Sequence, residues 1–190
     1  MKHLLSIAAL SLALSSAHAA VFTDNFDANP LGTNITPAGW AVSAGTVDVI
    51  GPGFYDLIPG NGRYIDLDGS SSAAGVLSTA LALTAGTQYI ASFDLGGNHR
   101  NGNSDVVHVS FGSTFATYTI TPSSGFTTYS VLFTAATTGN YTLSFDDQGG
   151  DQMGALLDNV SVAAVPEPAS LALLLGGLAA VSLMARRRAR

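Results

Sequence analysis

Short runs of apolar and polar residues alternate along most of this chain with a period of two. In Gln88 to Leu95 one face collects Tyr89, Ala91, Phe93 and Leu95, and in Val106 to Phe111 it collects Val107, Val109 and Phe111. Thr127 to Phe133 aligns Tyr129, Val131 and Phe133, and Tyr141 to Phe145 aligns Tyr141, Leu143 and Phe145. Successive side chains of a strand point to opposite faces, so this pattern predicts strands with one buried face. Further strands are predicted at Val21 to Phe26, Trp40 to Ile50, Arg63 to Leu67, Gly75 to Leu83, Phe115 to Ile120 and Ala155 to Val162. Turn residues punctuate them, among them Gly51-Pro52-Gly53, Pro59-Gly60-Asn61-Gly62, Thr84-Ala85-Gly86, Pro122-Ser123-Ser124-Gly125 and Thr138-Gly139-Asn140. About ten short strands without a helical pattern predict an all-β fold, an antiparallel β-sandwich of the jelly-roll kind.

Charge is distributed unevenly. Val21 to Val165 holds twelve Asp, two Arg (Arg63 and Arg100), no Lys and no Glu. That stretch carries −10, the residues before it +1 and those after it +3, giving the net −6 of the chain. Few helix formers and many Gly, Ser, Thr and Val agree with strands and tight turns. An excess of carboxylates excludes nucleic acid as a partner, because phosphates require clustered Lys and Arg. Zero cysteines exclude disulfides, thiolate catalysis and Cys-ligated metals. The stretch is the size of one domain that buries its own core.

Both ends read as addresses. Residues 1–19 form a signal peptide: Lys2 precedes an apolar run from Leu4 to Leu14, and Ala17-His18-Ala19 offers the small-x-small site that signal peptidase cleaves. At the other end, residues 165–168 are Val-Pro-Glu-Pro, residues 169–185 carry no charge, and residues 186–190 contain four arginines. The prolines separate this tail from the preceding strand. Seventeen helical residues reach about 26 Å, enough to span a bilayer when flanking arginines snorkel. The arginines stay cytoplasmic by the positive-inside rule, which leaves residues 20–164 outside as an extracellular domain.

Pro166, Glu167 and Pro168, the apolar helix from Ala169, and Arg186, Arg187 and Arg188 together resemble the PEP-CTERM sorting signal of exopolysaccharide-producing bacteria. The resemblance implies an exosortase as partner, a transient inner-membrane anchor, and release or transfer to the cell surface or biofilm matrix.

A second set of residues recurs in order through the domain. It comprises Asn25-Phe26-Asp27, Gly39-Trp40, Gly45 to Ile50, Ile65 to Gly69, Gly86 to Tyr89, Phe93 to Asn98 and Leu157 to Val162. This set resembles the choice-of-anchor C family, related to plant cell-wall proteins, with the galactose-binding-like jelly roll of many carbohydrate-binding modules. The resemblance implies an extracellular binding or structural module with polysaccharide as the suggested ligand. In related jelly rolls a structural calcium joins the loop after the first strand to the last strand. Asp27 stands where such modules carry Glu, and Asp158 where they carry the Asp of Leu-Asp-x-Val.

Candidate chemistry follows from the aspartates and aromatics. Ca²⁺ takes six to eight oxygens, which clustered Asp and main-chain carbonyls supply. Asn25, Asp27, Asp66, Asp68 and Asp158 form the metal set, with Asp66 and Asp68 expected to point away from the apolar face. Asp146, Asp147 and Asp151 around Gly149-Gly150 suggest a second cluster; turn caps and surface charge explain the same residues. Phe54 and Tyr55 in a Gly-Pro loop, with Asn98, His99 and Arg100 in the polar loop 96–105, form the ligand set. Trp40 and Tyr64 are further aromatic candidates, although a lone Trp in a β-sandwich is expected to pack in the core. No catalytic residues emerge: the domain has no Glu for a glycosidase pair, and no Gly-x-Ser-x-Gly elbow accompanies His99 and His108. The expected function is therefore a non-catalytic carbohydrate-binding or structural surface module. A hydrolase built on Asp pairs and a matrix protein without a ligand remain the alternatives.

Overall fold

The structure is a computed structural model that describes residues 20–100, 102–165 and 176–177. Eleven strands run in the order β1 (Ala20–Asp24), β2 (Ala41–Val42), β3 (Asp48–Ile50), β4 (Tyr64–Asp66), β5 (Val76–Leu83), β6 (Gln88–Gly96), β7 (Asp105–Phe111), β8 (Thr114–Ile120), β9 (Thr127–Thr134), β10 (Gly139–Asp147) and β11 (Leu156–Ala164). They form two antiparallel sheets. One has the order β3-β4-β11-β6-β9, with β1 also paired to β11, and the other is β2-β5-β10-β7-β8. The fold is the all-β sandwich that the alternation predicts.

The predicted strand Trp40 to Ile50 is two strands, one in each sheet. Gly45 adopts φ 57° between them, and a Cβ there would lie 1.9 Å from the carbonyl oxygen of Ala74. A left-handed residue pressed against another backbone breaks the strand, so the chain changes sheets across Ser43 to Val47. The signal peptide (1–19, with Ala17 and Ala19), the Pro166-Glu167-Pro168 motif and Arg186 to Arg188 lie outside the described residues. Of the predicted membrane helix 169–185 only Gly176 and Gly177 are described, and they are helical. Among the described residues no helix is long and apolar enough to cross a membrane.

Inward-facing residues of both sheets make one core. Phe93 of β6 meets Phe145 of β10 edge-on at 5.0 Å and Tyr118 of β8 at 5.6 Å. Trp40 is a core residue, packed on Phe22, Phe26 and Phe145, with its indole N–H donating to Asp24 at 2.8 Å. That N–H is satisfied inside the fold, as a buried Trp requires.

A second, smaller core lies on the outer face of the first sheet. Ile50, Tyr64 and Leu156 are buried there beneath Phe54, Leu57, Ile58 and Phe126. The Tyr64 hydroxyl accepts from the backbone N–H of Leu57 (2.6 Å) and Ile58 (2.9 Å) and donates to Asp56. Burial pushes this hydroxyl up to about 12. Tyr64 is thus the post that pins the 51–63 loop onto the sheet, and no sugar can reach its ring. The pinned loop is what raises Tyr55 above the surface.

Candidate functional site

Two arrangements of polar residues result, one near the chain ends and one where the loops after β4, β6 and β10 meet. At the first, Asp27 accepts from the Arg63 backbone N–H (2.8 Å) and from the Asn25 amide (2.8 Å). Asp158 is buried and accepts from the Asn159 backbone at 2.7 Å. Asn159 adopts φ 49° in the bulge that interrupts β11, and Phe26 adopts φ 57° in the turn after β1. Burial foremost, then the like charges of Asp94, Asp27 and Asp24, push Asp158 up to about 7.

The metal set of the sequence divides in two. Asp66 and Asp68 do not join Asp27 and Asp158, and they do not face solvent: both are buried. Asp66 forms an ion pair with Arg100, and its other oxygen accepts from the backbone N–H of Gly154 and Asp68. Asp68 Oδ2 accepts three successive backbone N–H groups, from Gly150 (2.6 Å), Asp151 (2.8 Å) and Gln152 (3.0 Å). These bonds use the aspartates to fold the 148–154 loop onto the end of β4. Among the described residues no three acidic or imidazole side chains converge as a ready-made cage.

The ligand set also divides. Asn98 is fully buried, its amide donating to Asp105 (3.0 Å) and to the Met153 carbonyl (2.8 Å), so it clamps two loops and does not meet a ligand. His99 is exposed at φ 49°, its ring at 3.1 Å from the Ser124 carbonyl on a different side of the loop. Tyr55 and Arg100, 45 positions apart in sequence, come together. They line a cleft of about 260 Å³ with Asp48, Ile50, Leu57, Asp66, Ser70 and Gln152. Tyr55 is 67% exposed, and the Phe54 ring supports it edge-on at 4.8 Å. Asp48 holds the opposite wall by accepting from Ser70 Oγ (2.6 Å) and the Asn34 N–H (2.8 Å). An exposed ring beside a half-buried Arg–Asp pair can stack on a flat apolar surface while hydrogen-bonding hydroxyls at its edge.

Sequence reasoning missed Asp48, Ser70 and Gln152, whose only sequence signal was an Asp at the start of an apolar run. It also missed Phe115, 61% exposed on the outer face of the second sheet, where its ring meets His108 at 5.1 Å.

Residues 22–163 match the family model described as "Protein of unknown function (DUF642)". The chain belongs to this family. Residues 164–188 match the PEP-CTERM protein-sorting motif, which marks a secreted protein with a C-terminal sorting signal. No curated protein matches the chain. Among solved structures, the DUF642 domain is similar to the CBM22-1 xylan-binding domain from Paenibacillus barcinonensis. That pair has a TM-score of 0.55 and 13% identity, covering 80% of this chain and 99% of the other. A cleaved adhesin domain of Lys-gingipain from Porphyromonas gingivalis gives 0.53 and 16%, covering 77% and 99%. The CBM22-1 and GH10 modules of a Clostridium thermocellum xylanase, complexed with xylohexaose, give 0.51 and 17%. There the match covers 78% of this chain but only 29% of the xylanase chain. At these identities the likeness shows the fold.

Four buried carboxyls of the DUF642 domain share one electrostatic state. Burial, as the largest cause in each, pushes Asp66 and Asp158 up to about 7, Asp105 to about 6 and Asp147 to about 8. Arg100 opposes the rise at Asp66, and neighbouring carboxylates add to it at Asp147. A carboxyl raised in the folded state binds its proton more tightly there than in the unfolded chain. Its stabilisation is complete below the unfolded carboxylate value and is lost as pH rises through the folded one. In EDTA the domain should therefore melt at a higher temperature at pH 5 than at pH 8. A melting temperature that is level or rises over that range contradicts the assignment.

Proposed function

We propose that the chain is an exported, non-catalytic carbohydrate-binding module that an exosortase processes on its way to the cell surface or extracellular matrix of an exopolysaccharide-producing bacterium. The observation that carries the binding reading is the exposed Tyr55 ring beside the Arg100–Asp66 pair in the cleft. The fold of a xylan-binding domain and of an adhesin domain supports it. The aromatic ring takes the C–H face of a sugar, Arg100 donates to its hydroxyls, and Asp48 and Ser70 accept and donate at the opposite wall.

Binding is tested with exopolysaccharide from producing cells, and with xylan as a defined glycan. Tyr55→Ala should weaken retention by about tenfold, the effect of losing one well-packed aromatic contact, while Phe115→Ala leaves it unchanged. Equal retention of wild type and Tyr55→Ala contradicts the cleft, and release of reducing sugars contradicts a non-catalytic role.

Sorting is a separate arm of the same proposal. Glu167→Ala should accumulate as the unprocessed, membrane-bound form. A mature protein from the host that still carries Arg186 to Arg190 contradicts processing.

Calcium at Asp27 and Asp158 completes the proposal. The donors there are all oxygens, as a hard cation requires, and the like charges of Asp24, Asp27 and Asp94 crowd Asp158. Main-chain oxygens and water would complete the shell. Asp158→Asn should lose one bound ion, and unchanged stoichiometry contradicts this site.

A further inference from the structure

Asp147 ends β10 in the same inward register as Leu143 and Phe145, so its carboxylate enters the sandwich instead of leaving it. The residue is 3% exposed, and neither carboxylate oxygen has a hydrogen-bond partner among the described residues. Asp68, 1% exposed, also leaves its Oδ1 without one. Both carboxylates flank the same glycine: a Cβ on Gly149 would sit 2.8 Å from Asp68 Oδ2 and 2.9 Å from Asp147 Oδ2. A Cβ on Gly154 would also lie 2.9 Å from Asp147 Oδ2.

Buried polar atoms are nearly always partnered, and an unpaired carboxylate is the costliest exception. Here the deficit is compounded. The charges acting on Asp147 are Asp105, Asp68 and Asp66, all of one sign. The cation of this region, Arg100, is engaged by Asp66 and the Gln152 carbonyl. Arg100 Nε is also buried without a partner, and the Gln148 N–H, which bonds the Val106 carbonyl, only partly offsets the charge on Asp147, whereas Asp27 and Asp158 at the other site accept from backbone and side-chain amides. An open cavity of about 370 Å³, lined by Asn103, Ser104, Asp105, Gln148, Gly149 and Asp151, lies beside the loop that covers the two carboxylates.

We propose that Asp147 and Asp68 hold a hard divalent cation, Ca²⁺ by preference, which locks the 148–154 loop onto the end of β4. The three unpartnered carboxylate oxygens are its first ligands, and backbone carbonyls and water supply the rest. Ca²⁺ tolerates such irregular oxygen sets, whereas Mg²⁺ demands near-octahedral geometry and sheds water reluctantly. The glycines at 149 and 154 leave the space that the carboxylates occupy. The site is separate from the Asp27 and Asp158 site.

The test uses the full chain in mild detergent at pH 7.5, stripped of metal and titrated with Ca²⁺ alone. Asp147→Asn should bind one ion fewer than wild type, while Asp158→Asn keeps this ion. In EDTA, Asp147→Asn should melt above wild type, because no buried charge is stranded, and in Ca²⁺ that advantage should vanish. Ca²⁺ should also slow amide exchange of Gly150, Asp151 and Gln152 in wild type, and equimolar Mg²⁺ should do so much less. An unchanged ion count in Asp147→Asn overturns the site, as does a lower melting temperature in EDTA. Should that variant not fold, exchange at Gly150 to Gln152 in wild type decides alone: no response to Ca²⁺, or an equal response to Mg²⁺, overturns it.

Discussion

Burying carboxylates in a domain almost without cations is the constraint on which this structure turns. Between Val21 and Val165 twelve aspartates face two arginines, yet Asp48, Asp66, Asp68, Asp105, Asp147 and Asp158 are all buried. A buried charge must be neutralised, paired or hydrogen-bonded. With so few cations the chain relies on its own backbone: Asp68 draws in three consecutive N–H groups, Asp66 one from across the fold, and Asp48 those of Asn34 and Ser70. Each of these bonds joins segments far apart in sequence, so the aspartates act as the ties between loops that disulfides supply in other secreted domains.

The apolar sandwich and these ties divide the work. Phe93, Phe145 and Trp40 hold the two sheets together through their middle. The loop ends, where strands run out of partners, are held by carboxylates. The same 148–154 loop that wraps Asp68 places Gln152 at the cleft and gives its carbonyl to Arg100. Rigidity at Asp68 and Asp147 is therefore transmitted to the wall opposite Tyr55 over a few bonds. In this account the buried acidic cluster is the support for the binding surface.

The sandwich was legible because its signal is local. A strand such as Gln88 to Gly96, buried on one face, writes its register in every second residue. The break at Gly45 was not legible, since the residues on either side read as one apolar run and only the approach of Ala74 enforces the turn. The site was legible in part. Phe54, Tyr55 and Arg100 stood out as aromatics and a cation in Gly- and Asn-rich loops, but nothing local showed that Asp66 would take Arg100 across 34 positions. Asn98, equally polar and in the same loop, became a buried clamp. Asp147 carried a usable signal that its acidic surroundings hid: it continues the inward alternation of Leu143 and Phe145, which places it in the interior and not in a solvated loop.

The central claim is that the carboxylates unmatched by protein donors are matched by a cation. An anomalous-difference map from crystals of the protein grown with Ca²⁺ tests it most directly. The account predicts a peak about 2.3–2.6 Å from Asp147 and from Asp68 Oδ1. A map with no peak there, and ordered water or a new protein donor on Asp147 instead, would contradict it.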